Sequence, residues 1–238
     1  MNTIYTHIVQ CKQVQKKLLV ILIDPDKICI NNIENTAKNI NVSGATHIFV
    51  GGSIVTTNLM DTIIKALKKF TTLPILLFPG NSSQISKEAD GILFLNLVSG
   101  RNPDYLIEHQ VNAVPYIEKT TLEVIPTGYL LIESGLQTAV ERVSQTKPMD
   151  RKNINYVCQT AKAAEYMGNK LIYLEAGSGA DNPILPEMIT KVAKKINIPL
   201  IVGGGIKTKK AIETAFEAGA DIVVIGTAFE NDINFFKK

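Results

Sequence analysis

Glu175 is the residue around which chemistry can be assembled. It follows the apolar run Leu171-Ile-Tyr-Leu174 and runs straight into Ala176-Gly177-Ser178-Gly179-Ala180. A continuous apolar run of this length reads as a strand buried on both faces and is too short for a helix. Glycines at 177 and 179 let a backbone approach a ligand with its amides turned outward, as a bound phosphate requires. A carboxylate therefore sits at a strand's carboxyl end beside an anion cradle.

The same strand-then-small-residue logic recurs. Gly51-Gly52-Ser53 places a hydroxyl where it can meet a divalent cation or a phosphate oxygen, or cap the next helix. Gly203-Gly204-Gly205 and Gly226-Thr227-Ala228 end two successive late strands, the usual phosphate position in an eight-stranded barrel, although a glycine triplet also suits tight packing. The first apolar run, Leu18–Ile23, stops at Asp24-Pro25-Asp26-Lys27. Two carboxylates there suit a hard cation such as Mg2+, and the same residues are ordinary turn chemistry; the cation is the favoured reading.

Stepping through the chain, strands are expected at Leu18–Ile23 and at residues 46–50, 74–78, 92–95, 122–132, 171–174, 198–202 and 221–225. Helical periodicity falls between them: at 31–41, through Leu59, Ile63, Ala66, Leu67 and Phe70, at 103–110 with Tyr105 and Leu106 inward, and at 138–143. It returns at 154–167 and after a Thr208 cap. The fifth strand is interrupted by Pro126 and Gly128. Alternation of this kind predicts a (β/α)8 barrel, one domain over residues 1–238, rather than a doubly wound sheet. No Gly-x-Gly-x-x-Gly opens an early helix, which argues against dinucleotide binding. Between the third and fourth strands, residues 79–91 open with Pro-Gly and carry no apolar stripe. The third helix is therefore expected to be missing, leaving an apolar flank for something else to cover.

Composition narrows the class. With 45% hydrophobic and 20% charged residues the chain has the makings of an ordinary globular core. A net charge of +3, with lysines scattered among acids, gives no support to nucleic-acid binding. Cys11, Cys29 and Cys158 lack metal or redox spacing and suit a reducing cytoplasm. The first ten residues have no basic start followed by an apolar core, and no apolar run reaches spanning length, which leaves room only for a peripheral contact with a bilayer.

Taken together, Leu22-Ile-Asp-Pro-Asp-Lys27, Val50-Gly-Gly-Ser53, Tyr173-Leu-Glu-Ala-Gly-Ser-Gly-Ala180, Val202-Gly-Gly-Gly-Ile206 and Gly226-Thr-Ala-Phe-Glu230 resemble the geranylgeranylglyceryl phosphate synthase family over nearly the whole chain. The resemblance implies a prenyltransferase that joins the 3-hydroxyl of sn-glycerol 1-phosphate to a polyprenyl diphosphate with Mg2+, and a homo-oligomer. It implies magnesium positions at Asp24 and Ser53. It implies a glycerol phosphate site at Tyr173, Leu174, Glu175, Ala176, Gly177, Ser178 and Gly179, with Gly204, Gly205, Gly226 and Thr227. Relatives of the heptaprenyl type can carry a lysine where this chain has Leu22, so the first motif is nearer the archaeal form. Within that reading Glu175 is the candidate base, Tyr173 orients substrate or the developing cation, and Phe78, Ile85, Tyr105 and Leu106 line the prenyl groove. A phosphate-sugar isomerase or synthase barrel, which needs no open apolar flank, and a non-catalytic phosphate-binding barrel are the alternatives.

Overall fold

The computed structural model describes residues 3–53, 55–56 and 59–237; Met1, Asn2 and Lys238, which complete the expected domain, lie outside them. Eight parallel strands close in sequence order into a barrel. They are β1 Leu18–Ile23, β2 His47–Gly52, β3 Ile75–Pro79, β4 Gly91–Leu97, β5 Glu123–Leu131, β6 Leu171–Glu175, β7 Leu200–Gly203 and β8 Ile222–Ile225. The helices are α1 Ile4–Gln13, α2 Ile33–Val42, α3 Met60–Lys68, α4 His109–Ile117, α5 Ala139–Ser144, α6 Ile154–Tyr166, α7 Pro186–Lys195, α8 Lys209–Glu217 and α9 Thr227–Asn231. Residues 80–90 contain no helix, so β3 passes to β4 through turns as the sequence implied.

Strand alternation divides the apolar residues into two cores. Leu18, Val20, Phe49, Leu76, Leu93, Tyr129, Tyr173, Ile201 and Val224 fill the barrel, whereas Ile21, Ile48, Leu77, Leu130, Leu174 and Val223 face the helices. α1 closes the bottom of the barrel with Ile8 and Cys11. It is anchored there by the Glu123 carboxylate, which accepts from the backbone N–H of Ile4 at 2.6 Å and of Tyr5 at 2.9 Å, a negative charge on exposed helix donors.

Four local expectations are corrected. Ser53 caps no helix, because α3 begins only at Met60 with Leu59 before it. The helix expected at 103–110 starts as a π-helical turn, Asp104–Glu108, and continues as α4 past Pro115 to Ile117. Pro126 does not break β5; it pairs opposite Phe94 and its carbonyl still accepts from Lys170 N–H at 2.8 Å. Leu106 is only half-buried and stays off the groove, its carbonyl accepting from Asn96 Nδ2 at 2.8 Å. The half-turn phase change at the π segment is what turns Tyr105 inward and Leu106 aside.

Candidate active site

At the carboxyl ends of the strands a cavity of about 290 Å³ is lined by Asp24, Ser53, Tyr173, Glu175, Gly177, Ser178, Gly179, Gly204, Gly205, Gly226 and Thr227, among others. Residues from β1, β2, β6, β7 and β8 are thus brought to one mouth although they are spread over the chain. Leu174 and Ala176 do not reach it. Leu174 points to the helices, one residue out of phase with Tyr173 and Glu175, and the N–H of Ala176 is taken by the Gly203 carbonyl at 3.1 Å.

Glu175 is buried at 6% exposure on the floor of the cavity. Burial pushes its pKa up to about 7, against the opposing pull of the Tyr173 hydroxyl beside it and of the Gly177 N–H. The Gly177 N–H donates to Glu175 Oε1 at 2.6 Å, so this amide holds the carboxylate rather than a ligand. Tyr173 Oη approaches Glu175 without meeting hydrogen-bond geometry and has no partner among the described residues. Its pKa, like that of Tyr129, is driven well above 10.0 by burial and then by the Glu175 charge, so both phenols keep their protons.

The glycine triplet has a more specific reason than either sequence reading offered. A Cβ on Gly203 would collide with Tyr173 Oη, and one on Gly204, at φ +80°, would collide with Glu175 Oε1. Gly205, at φ +68°, packs within about 3.0 Å of the Pro183 backbone. The first two glycines therefore make room for the two candidate catalytic side chains, while the loop as a whole leaves backbone facing the cavity. Opposite, the hydroxyls of Ser178 and Thr227 lie 3.2 Å apart and bring the β6 and β8 loops together.

Of the two early carboxylates only Asp24 lines the cavity. Its Oδ1 accepts from Asp26 N–H at 3.0 Å and its Oδ2 lies 3.2 Å from Lys27 Nζ. Asp26 turns instead to Thr56, accepting from its N–H at 2.8 Å and its hydroxyl at 3.0 Å. Ser53 is held against the β3 loop by backbone packing so close that a Cβ on Gly80 would sit 2.6 Å from the Gly52 carbonyl.

Sequence reasoning gave no role to Tyr129, Lys27, Lys207 or Glu230, all of which line the cavity. Tyr129 stacks on Tyr173 with ring centroids 5.3 Å apart, and Phe78 leans on both at 6.1 and 5.4 Å. Its inward position was implicit in the two-residue alternation of β5, but the expected break at Pro126 hid the phase. The three rings form the wall between the cavity and an adjoining groove of about 90 Å³, lined by Phe78, Ile85, Leu95, Tyr105 and Ala113 among others, alongside the helix-free segment.

Barrel and mouth together define a phosphate-binding (β/α)8 enzyme site that opens into an apolar groove. The model of the PcrB family matches residues 12–237, and the chain belongs to that family. It is 56% identical over 236 residues to the geranylgeranylglyceryl phosphate synthase of Flavobacterium johnsoniae, covering 99% of this chain and 97% of that protein. Its identity to the synthase of Thermococcus gammatolerans is 41% over 217 residues, covering 91% and 85%. A crystal structure of (S)-3-O-geranylgeranylglyceryl phosphate synthase from Thermoplasma acidophilum in complex with its substrate sn-glycerol-1-phosphate aligns with a TM-score of 0.93 at 33% identity, covering 100% of this chain and 95% of that one. The family that the motifs resemble is the one to which the whole chain belongs.

Proposed function

We propose that this chain transfers a polyprenyl group from its diphosphate to the 3-hydroxyl of sn-glycerol 1-phosphate, giving an ether and diphosphate. One observation carries the reading. A buried carboxyl with its pKa raised to about 7 lies between a glycine-rich mouth on one side and an aromatic wall leading to an apolar groove on the other. The glycerol phosphate substrate is further supported by the ligand in the Thermoplasma relative.

The glycerol phosphate sits with its phosphate on the loops of Gly177 to Gly179, Gly204 with Gly205, and Gly226 with Thr227. Its 3-hydroxyl then faces Glu175, which takes the proton as the hydroxyl oxygen forms a bond to prenyl C1 and the bond from C1 to the diphosphate oxygen breaks. Positive charge gathers on that allylic carbon. The faces of Tyr129, Tyr173 and Phe78 are placed to stabilise it, and the Tyr173 hydroxyl, without a partner of its own, is free to orient the glycerol.

The donors Asp24 and Ser53 fit Mg2+, since both are hard oxygens on one rim and leave most coordination positions for water and diphosphate. Bound there, Mg2+ neutralises the leaving diphosphate. No cluster of three or more His, Cys, Asp or Glu occurs among the described residues, so weak binding without substrate follows.

The prenyl chain lies along the groove, with Phe78 and Ile85 as wall and Tyr105 as its stop. Ile107, Val111 and Val114 project outward from the turn before α4 and from α4 itself, at spacings of four and three residues, and are 57%, 54% and 43% exposed, which supports self-association through that face. The three cysteines are free, as in a cytoplasmic protein, and no helix among the described residues is long and apolar enough to cross a membrane. The test is product formation from labelled sn-glycerol 1-phosphate with prenyl diphosphates of several lengths. Isomerisation of a sugar phosphate, or phosphate binding without ether formation, would favour the alternatives.

A further inference from the structure

Two anionic substrates must share a cavity whose lining is not basic. Its ionisable residues are two lysines, Lys27 and Lys207, against three carboxylates, Asp24, Glu175 and Glu230. The lysines are divided between its two ends. Lys207 follows Gly204 and Gly205 on the glycerol phosphate side, whereas Lys27 stands three residues after Asp24 on the side of the magnesium donors. Lys27 Nζ lies 3.0 Å from Glu230 Oε2 and 3.2 Å from Asp24 Oδ2, so it bridges the end of β1 to α9.

We propose that Lys27 is the side chain that receives the diphosphate of the prenyl substrate, with Glu230 holding it at the mouth until that substrate enters. The proposal rests on the reading that the second substrate is a prenyl diphosphate. Asp24 Oδ2 is claimed twice, by Lys27 in the free chain and by the cation that the Asp24 and Ser53 donors suit, and one oxygen cannot serve both at full strength. A substrate that brings the cation to Asp24 therefore frees the ammonium group while delivering phosphate oxygens next to it. The exchange needs only rotation of a flexible four-carbon stem. It is also cheap, because Lys27 is 50% exposed and a pair so open to solvent is weakly held, while a diphosphate offers more charge and more acceptors than either carboxylate. A purely structural tie between β1 and α9 would use the same bonds, and the two roles differ in which ligand they affect.

The full chain is compared with Lys27→Gln, Lys27→Arg and Glu230→Gln. The readouts are KM for each substrate, binding of inorganic diphosphate by calorimetry, and melting temperature. Lys27→Gln is expected to raise the prenyl diphosphate KM and the diphosphate Kd by about ten- to a hundredfold, the loss typical of a charged hydrogen bond. The sn-glycerol 1-phosphate KM should stay within about twofold, and Lys27→Arg should recover most of the loss. Glu230→Gln removes only a competitor, so diphosphate binding should be unchanged or tighter. Unchanged diphosphate binding in Lys27→Gln overturns the assignment, as does an equal loss for both substrates. Weakened diphosphate binding in Glu230→Gln also overturns it, and decides the matter if Lys27→Gln does not fold. A wild-type chain that neither binds diphosphate nor consumes a prenyl diphosphate removes the substrate reading itself.

Discussion

Replacing Glu175 by glutamine should make the free protein more stable above neutral pH while disabling it. The carboxyl ionises at 4.5 in an unstructured chain but at about 7 in the folded one, mainly because burial disfavours its charge. A folded pKa raised in this way means that the folded state holds its proton over a range where the unfolded state has lost it. Its favourable contribution is complete below pH 4.5 and is lost as pH rises through about 7. At about 1.36 kcal/mol per pH unit, the ionised group costs the fold about 3 kcal/mol at pH 8 and less than about 1 kcal/mol at pH 5. Glutamine has the same shape and can still accept from the Gly177 N–H, but it carries no charge. Its buried amide carries a cost of its own that does not vary with pH, so the difference between the two pH values isolates the carboxylate. Urea unfolding of both proteins should show Glu175→Gln gaining about 2–3 kcal/mol relative to wild type on going from pH 5 to pH 8. A stability difference that is flat across this range would refute the buried, charge-disfavouring placement of Glu175. In turnover the same substitution should cost about a hundredfold or more, and wild-type kcat/KM should rise with pH through about 7 as the base deprotonates.

At the bottom of the barrel His47, 2% exposed, has its pKa lowered to about 4 by burial and then by the charge of His7. The fold should therefore lose up to about 3 kcal/mol as pH falls from 6.5 to 4, and urea midpoints of His47→Gln should lack that part of the loss. Gly204→Ala should lower kcat as well as raise the glycerol phosphate KM, since its methyl group strikes Glu175 Oε1; a change in KM alone would contradict the packing. Ile85→Trp should shorten the preferred prenyl diphosphate, each excluded methylene being worth about 0.8 kcal/mol, with the glycerol phosphate KM unmoved. A length profile that does not shift would place the groove elsewhere.

Much of the barrel was legible because its signals are local. Continuous apolar runs stop at glycine or aspartate wherever a strand reaches the mouth, and two-residue alternation alone places Tyr173 and Glu175 on one side and Leu174 on the other. The missing third helix could be read from residues 79–91, where an apolar stripe is simply absent. α1 and the continuation of α4 past Pro115 were not legible. Few residues of α1 are buried, and both segments owe their place to partners distant in sequence, such as the Glu123 carboxylate beneath α1. Residue types at the strand ends determined by themselves that the chain has a phosphate-handling mouth with a carboxylate and a hard-cation rim. Only the tertiary structure decided how the mouth is divided. Barrel closure sets β7 against β6, so that Gly203 and Gly204 clear space for Tyr173 and Glu175. It sets β8 against β1, so that Lys27 meets Glu230 across 203 residues of sequence. Glu175 is a base poised near neutrality for the same reason: its pKa depends on the water that neighbouring strands exclude, and a linear sequence does not specify which strands those will be.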